Sequence, residues 1–302
     1  MLNRRTLIAA AAALAFSAGA AAAQDYKAKY PELTFAFIPA ENATGVTERY
    51  APLMAYLTKE LGVPVTLRIA NDYAAVIEGQ RAGNIQLAYY GPAAFARALK
   101  TGAPVEAFAI EVNADGTKGY HSVLYVKKDS PYKTVEDLKG KNICLVDPNS
   151  TSGNNVPRYA LSKMGIKPDE YFGKVVYAGS HENAVLGVQQ GTCDAAFNWW
   201  NDDQESALRR MERKGMAKYD DYRIIYKSDL IVNSPYAYLA TLPADLKAKI
   251  RDAFFSIEKN DKAAFDKIYE GKSQMWQPVD NEAYTPVVEL ITFVDNLRKQ
   301  KN

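Results

Sequence analysis

Short apolar segments alternate with amphipathic helical stretches from residue 33 to residue 100, and the alternation restarts near residue 134. This feature restricts the fold most, because a strand–helix–strand order produces parallel strands with helices packed on the sheet faces. Residues 33–38 (LTFAFI) read as a buried strand. A helix follows with Tyr50, Leu53, Leu57 and Leu61 on one face, closed by Gly62, with Pro52 in its first turns or kinking it. Residues 65–70 form the next strand, Asp72 stands at the N-cap of a helix over 73–82, and Gly83 ends that helix. A third strand over 85–89 turns at Gly91-Pro92 into a helix over 93–100.

Two strands, 105–112 and 122–126, lead away from this array. The restart begins with a capping box, Thr134-Val135-Glu136-Asp137, opening a short helix that stops at Gly140. Strands over 142–147, 175–178 and 194–198 then alternate with helices over 152–164 and 182–190. The tail from 242 to 302 reads as mostly helical, with Pro243 and Pro278 as breakers. The expected fold class is α/β, as two similar lobes, each an open α/β sheet, joined by crossing hinge strands. Residues 24–125 and 232–302 would make lobe I and residues 126–231 lobe II, with hinges near 125–129 and 225–238. A chain of 302 residues suffices for two such lobes.

The first 23 residues set the compartment. A basic start with Arg4 and Arg5, an unbroken apolar run over 7–16 and the small residues Ala21-Ala22-Ala23 form a three-part signal peptide, cleaved near Ala23. The run is shorter than the ~20 residues of a spanning helix. Asn3-Arg4-Arg5-Thr6-Leu7 also holds the twin arginine that some export signals use. The mature chain is therefore expected to be exported, with no membrane insertion once the leader is removed. Arg4 and Arg5 account for the formal charge of +2, so 35 basic residues then face 35 acidic ones. A neutral body excludes a general nucleic-acid binder, which needs a basic field. Any anion site must be local. Cys144 and Cys193 are the only cysteines, both in apparent strands, and are either bridged in an oxidising compartment or buried as free thiols.

Ligands of open α/β sheets collect beyond the carboxyl ends of strands, where helix N-termini point. There the most informative string is Asp147-Pro148-Asn149-Ser150-Thr151-Ser152-Gly153. Ser150, Thr151 and Ser152 exceed the one hydroxyl that capping needs. Together with the free N–H groups of a first helical turn they suit a tetrahedral oxyanion, and Gly153 would let a ligand approach the backbone. His181, opening the next helix, either donates to the anion or serves as a cap. Tyr73, Tyr89, Tyr90 and Tyr120 could wall a pocket, as could Trp199-Trp200 beside Asn201 and Asp202. Asp202 beside aromatic faces could receive a cationic ligand tail, or belong to a solvated helix start. No P-loop, zinc-protease pair or nucleophile elbow is present, so neither cofactor, metal site nor catalytic residue is expected.

The string over 147–153 followed by Pro157, Ala178-Gly179-Ser180-His181-Glu182, Asn71-Asp72-Tyr73-Ala74 and Tyr90-Gly91 resembles the phosphonate- and phosphite-binding proteins of bacterial ABC importers. The resemblance runs from the first strand to about Ala240. Thr134–Gly140 looks like a segment common to type II periplasmic binding proteins generally. The resemblance implies two lobes closing on a phosphorus oxyanion, no enzymatic activity, and delivery of ligand to a membrane permease. It implies that Ser150, Thr151, Ser152 and His181 hold the phosphonate oxygens, assisted by Tyr73 and Tyr120. Relatives that bind aminoethylphosphonate hold its amine with two carboxylates, where this chain carries Asn201 and Ser234. Asp202 or Asp203 could substitute if the loop is shifted; otherwise small uncharged tails are favoured. A sensory binding protein for the same ligand and an exported phosphate-ester enzyme on this fold are the competing readings.

Overall fold

A computed structural model describes residues 26–270 and 272–299. The expected signal peptide lies outside the described residues. Twelve strands are present among the described residues: β1 (Leu33–Phe37), β2 (Val65–Ile69), β3 (Leu87–Tyr89), β4 (Val105–Asn113), β5 (Gly119–Lys127), β6 (Asn142–Leu145), β7 (Lys174–Tyr177), β8 (Ala195–Trp200), β9 (Tyr222–Lys227), β10 (Ile231–Val232), β11 (Pro235–Leu239) and β12 (Ser273–Pro278). They form two six-stranded sheets. The first has the order β12-β4-β11-β3-β1-β2, and the second β10-β5-β8-β6-β7 with β9 also paired to β5. In each, the βαβ alternation yields parallel neighbours: β1 with β2 and β3, and β6 with β7 and β8. Antiparallel strands β4, β11 and β12 extend the first sheet, and β5 and β9 the second.

The chain passes between sheets twice, over 114–118 and over 233–234. The boundary expected at 125/126 falls inside β5. That strand pairs with β8 from His121 to Val126, so it is committed to the second sheet well before residue 125. The tail is mostly helical, as its pattern suggests, but it also holds a strand. Helices Ala244–Asn260, Lys262–Tyr269 and Thr285–Lys299 are separated by β12, which returns to the first sheet's edge. One residue of β12, Trp276, is buried, packed in tilted and edge-on contacts among Tyr236, Phe254 and Phe265. A single buried aromatic leaves no period-two signal. β11, with all five residues buried, likewise lacks the alternation that marks a strand in sequence.

Capping follows the sequence more closely. Asp72 accepts from Ala75 N at 2.7 Å and Ser180 from Asn183 N at 3.1 Å, opening helices Tyr73–Arg81 and His181–Gln189. Cys144 and Cys193 form a disulfide with Cα atoms 5.7 Å apart, closing 49 residues within the second sheet's unit. Cys193 lies just ahead of β8 rather than in it. Among the described residues no helix is long and apolar enough to cross a membrane.

Candidate functional site

A small cavity of about 90 Å³ lies between the two sheets' units. That admits a small ligand rather than a drug-sized one. Its walls differ in chemistry. Ser150, Thr151, Ser152, His181, Tyr73 and Tyr120 form a hydroxyl-rich wall; Glu41, Arg49, Tyr50, Tyr89, Glu111 and Arg210 form an ionic one. Trp199, Asn201, Asn233 and Ser234 also line it, and Phe37, Ile38, Ala40, Val46 and Gly91 complete the lining.

The hydroxyl wall grows out of β6. Beyond the strand, Asp147 Oδ1 accepts from Asn149 N at 2.7 Å and turns the chain. Ser150 Oγ accepts from Gly153 N at 3.1 Å, and Asn155 N reaches Ser150 O at 3.0 Å across a π-helical turn, Thr151–Asn155. Such wide turns inside helices mark functional positions, because they redirect backbone groups. The helix expected over 152–164 is therefore this turn followed by a regular helix, Val156–Lys163. Gly153 serves a different purpose from the one read in the sequence. A Cβ there would collide with Val146, so glycine lets the turn sit on its own strand rather than admitting a ligand.

Thr151 Oγ1 accepts from Ala93 N at 2.8 Å, at the N-terminus of helix Pro92–Lys100 in the other unit. The cradle thus meets a second helix N-terminus across the cleft. Two more helices begin there, and His181 and Tyr73 are their first residues. The Tyr73 hydroxyl is buried with no hydrogen-bond partner among the described residues, so it remains available as a donor. Burial pushes the Tyr120 hydroxyl up to about 12, against the opposing pull of Thr151 and Ser152. Both tyrosines thus stay protonated donors at neutral pH. Burial also holds the His181 imidazole down, to about 4.

The ionic wall draws on distant segments. Glu41 Oε1 accepts from Arg49 at 2.6 Å and from Arg210 at 2.8 Å, while Oε2 accepts from Lys214 at 2.9 Å. Burial alone would raise this carboxylate; Arg49, Arg210 and Lys214 outweigh it and hold it far below its ordinary range. Arg210 also binds Glu205 at 2.5 Å and lies 4.8 Å over the Trp199 ring. Lys214 continues to Glu182 at 2.6 Å, and Glu182 accepts from Asn42 N at 2.8 Å. These pairs fasten the segment after β1 to the second unit. Glu111 differs. It accepts from Tyr89 at 3.0 Å and Tyr269 at 2.9 Å, has no ion pair among the described residues, and burial raises its pKa.

Of the residues expected at the site, Ser150, Thr151, Ser152, His181, Tyr73, Tyr120 and Asn201 line the cavity. Tyr90 and Asp202 do not. The Tyr90 side chain turns into the core, donating to Gln80 at 3.0 Å, and its neighbour Tyr89 takes the lining position because strand residues alternate faces. Asp202 Oδ1 caps a turn through Gln204 N at 2.7 Å and Glu205 N at 2.8 Å. Asn201 is engaged too, donating to Asn113 at 2.7 Å. Trp200 lies under Lys227, outside the lining. Sequence reasoning missed Glu41, Arg49, Glu111 and Arg210. Only Glu111, an acid within the largely buried β4 segment VEAFAIEVN, carried a local signal. Among the described residues no cluster of His, Cys, Asp and Glu could hold a metal ion.

Residues 35–284 match the family model described as "ABC transporter, phosphonate, periplasmic substrate-binding protein". The Phosphonates-binding periplasmic protein of Escherichia coli is 34% identical over 243 residues, covering 78% of this chain and 70% of that one. The Phosphate-import protein PhnD of Mycolicibacterium smegmatis is 32% identical over 234 residues, covering 74% and 72%. Among solved structures, a binding protein component of a Pseudomonas aeruginosa ABC phosphonate transporter superposes with a TM-score of 0.79 at 29% identity, covering 90% of this chain and 89% of that one.

Proposed function

The chain belongs to the phosphonate-type periplasmic substrate-binding proteins of ABC transporters, and from that premise we propose that it captures a small phosphorus oxyanion, a phosphonate or phosphite, and presents it to a membrane permease. The observation that carries this reading is the convergence of Ser150, Thr151, Ser152, Tyr73 and Tyr120 with helix N-termini from both units, at Tyr73 and Pro92 in one and His181 in the other, on one small cavity. Neutral donors at helix N-termini bind anions, and a ligand that accepts from both units at once stabilises the closed arrangement. The units are residues 26–113 with 235–299 and residues 119–232, and the crossings over 114–118 and 233–234 act as the hinge. Export uses residues 1–23 as a cleaved leader.

Ser150, His181 and Asn198 have the connectivity of an acyl-transfer triad, with Ser150 Oγ 3.4 Å from His181 Nε2 and His181 Nδ1 2.7 Å from Asn198 Oδ1. The depressed imidazole favours binding over catalysis, because a ring held near 4 by burial is a poor base at neutral pH. Calorimetry with methylphosphonate, phosphite and phosphate tests the proposal, alongside turnover assays on phosphate and acetate esters. Micromolar or tighter binding of one phosphorus oxyanion without turnover is expected. No heat with any of the three, or sustained product formation, would overturn the reading.

A further inference from the structure

The hydroxyl wall has an unusual electrical property. Its side chains are neutral, and the cations in the cavity lining, Arg49 and Arg210, sit in the ionic wall with Glu41 between them. A doubly charged oxyanion would therefore rest on dipoles alone.

The histidine in that wall has a fixed tautomer. Asn198 is fully buried, and backbone groups settle its amide orientation: Nδ2 donates to His181 O at 3.0 Å, while Oδ1 accepts from Trp199 N at 3.0 Å. Oδ1 must then face His181 Nδ1, at 2.7 Å. An amide oxygen can only accept, so Nδ1 carries a proton. In the neutral imidazole, the Nε2 lone pair is then directed at Ser150 and the cradle. The wall's hydroxyls can donate as well as accept, as Ser150 Oγ does from Gly153 N and Thr151 Oγ1 from Ala93 N, so Nε2 is the side-chain atom of this wall that can only accept.

We propose that Asn198, by fixing this tautomer, makes the site select an oxyanion that brings its own proton, a P–O–H group donating to His181 Nε2. Sulfonates and sulfate, of the same tetrahedral shape but without a proton at neutral pH, are thereby rejected. The inference rests on the phosphorus-oxyanion reading above and names the protonation state that the site takes. A sulfonate oxygen at the same position would oppose the Nε2 lone pair unless His181 first took a proton from water. Burial makes that costly. With the imidazole near 4, protonation at pH 7 disfavours such a complex by about a thousandfold. The groups facing His181 do not reverse this. Glu41, from the segment after β1, favours the charged form but is matched by Arg49, Arg210 and Lys214. Glu182, beside it on the same helix, is paired with Lys214. Tyr73 and Tyr120, on the opposing elements, stay neutral because burial raises both.

Two measurements on the intact mature chain test this. The first is the affinity of methylphosphonate and methanesulfonate from pH 5 to pH 7.5, with proton uptake from calorimetry in buffers of different ionisation enthalpy. At pH 6, methylphosphonate should bind with no net proton uptake. Methanesulfonate should be at least a hundredfold weaker at pH 7, gain about tenfold per unit of falling pH, and take up one proton. Equal affinities at pH 7, or a sulfonate affinity flat with pH, would overturn the inference while leaving the phosphorus reading intact. Failure of methylphosphonate and phosphite to bind at all would overturn that reading instead. The second measurement is independent of ligand: ¹⁵N NMR of the two histidines should show His181 neutral and protonated at Nδ1 at pH 7. An Nε2-protonated ring would overturn the inference. In Asn198→Asp, a carboxylate beside Nδ1 stabilises the imidazolium, so the sulfonate penalty at pH 7 should shrink tenfold or more; an unchanged penalty counts against Asn198 as the positioning residue.

Discussion

The two walls of the cavity solve the same problem, holding polar groups out of water, by opposite means. The hydroxyl wall uses neutral dipoles anchored locally: a cap, a π-helical turn and a buried Asn–His pair, largely within the second unit. The ionic wall sets Glu41 and Arg49 of the first unit against Arg210 of the second, with Lys214 behind it, and the Glu41–Arg210 and Glu41–Lys214 pairs form only when the two units meet. Neutral dipoles are preorganised before ligand arrives, whereas charges drawn from both sides report closure. The difference teaches that affinity should reside in one wall and the open–closed balance in the other.

Removing the disulfide is the harshest trial of a preorganised hydroxyl wall. Closing 49 residues in the unfolded chain is worth about 4 kcal/mol in the loop-entropy model. Cys144→Ser with Cys193→Ser should lose about that much in denaturant titration. Affinity for methylphosphonate well below the melting temperature should stay within about threefold. A comparable loss of affinity would show that the bridge, rather than the local turn, shapes the cradle.

Gly153→Ala attacks the turn itself. Its Cβ must displace Val146, and overpacking of this kind costs about 1–3 kcal/mol. Because the same Cβ would also stand 2.8 Å from Ser150 Oγ, calorimetry should show binding weakened by roughly a hundredfold, about 2.7 kcal/mol. Thr151→Ala should cost about 1–3 kcal/mol of binding, since it removes a ligand donor and the acceptor of Ala93 N. Wild-type affinity in both variants would remove this turn from the site.

The ionic wall predicts a different signature. Glu41 has its folded-state pKa depressed below the ordinary 4.5, so its stabilisation is complete above that pH and is lost as pH falls below it. Glu41→Gln should therefore flatten the acid limb of the stability curve below pH 4.5. At neutral pH it should shift the molecule toward the open form, seen as a larger radius of gyration in scattering at subsaturating ligand. Binding should weaken about tenfold, less than for Gly153→Ala. An unchanged acid limb would show that Arg210, Arg49 and Lys214 are neutralised elsewhere.

These walls also differ in how far sequence reveals them. Ser150, Thr151 and Ser152 form one contiguous string whose excess of hydroxyls over capping needs is visible without a structure. His181 and Tyr73 were readable because each follows an N-cap after a strand. The ionic wall joins positions 41, 49, 111 and 210, and apart from Glu111, set in an apolar strand, each is an ordinary surface type of residue until tertiary packing brings it inside. Tyr89 and Tyr90 show the limit of strand-end reasoning: one register step decides which side chain faces the cavity. The cysteine pair could not be settled from spacing, because bridging depends on a Cα separation that only the fold supplies.

The smallest expected effect concerns Glu111 and the ligand's other end. The neutral Asn201 and Ser234 suggest an uncharged tail, and Asp202, the alternative acid, is committed to its turn. Glu111 changes that balance, because it is a buried carboxylate in the lining without an ion pair among the described residues. Its pKa is raised by burial, the direction in which an uncompensated carboxylate moves. An ammonium tail placed there would supply the missing counter-ion; Arg210 and Arg49, which also act on Glu111, would oppose the ammonium and cap its gain. The net preference for aminoethylphosphonate over methylphosphonate should be about tenfold, about 1.4 kcal/mol. Glu111→Gln removes the charge and keeps acceptors for Tyr89 and Tyr269, so it should abolish that preference while changing methylphosphonate affinity less than threefold. If methylphosphonate and aminoethylphosphonate bind equally well to the wild type, the guanidiniums dominate the ionic wall and the site takes small uncharged tails. If the preference survives in Glu111→Gln, another acceptor holds the ammonium and the two-wall division fails at this residue.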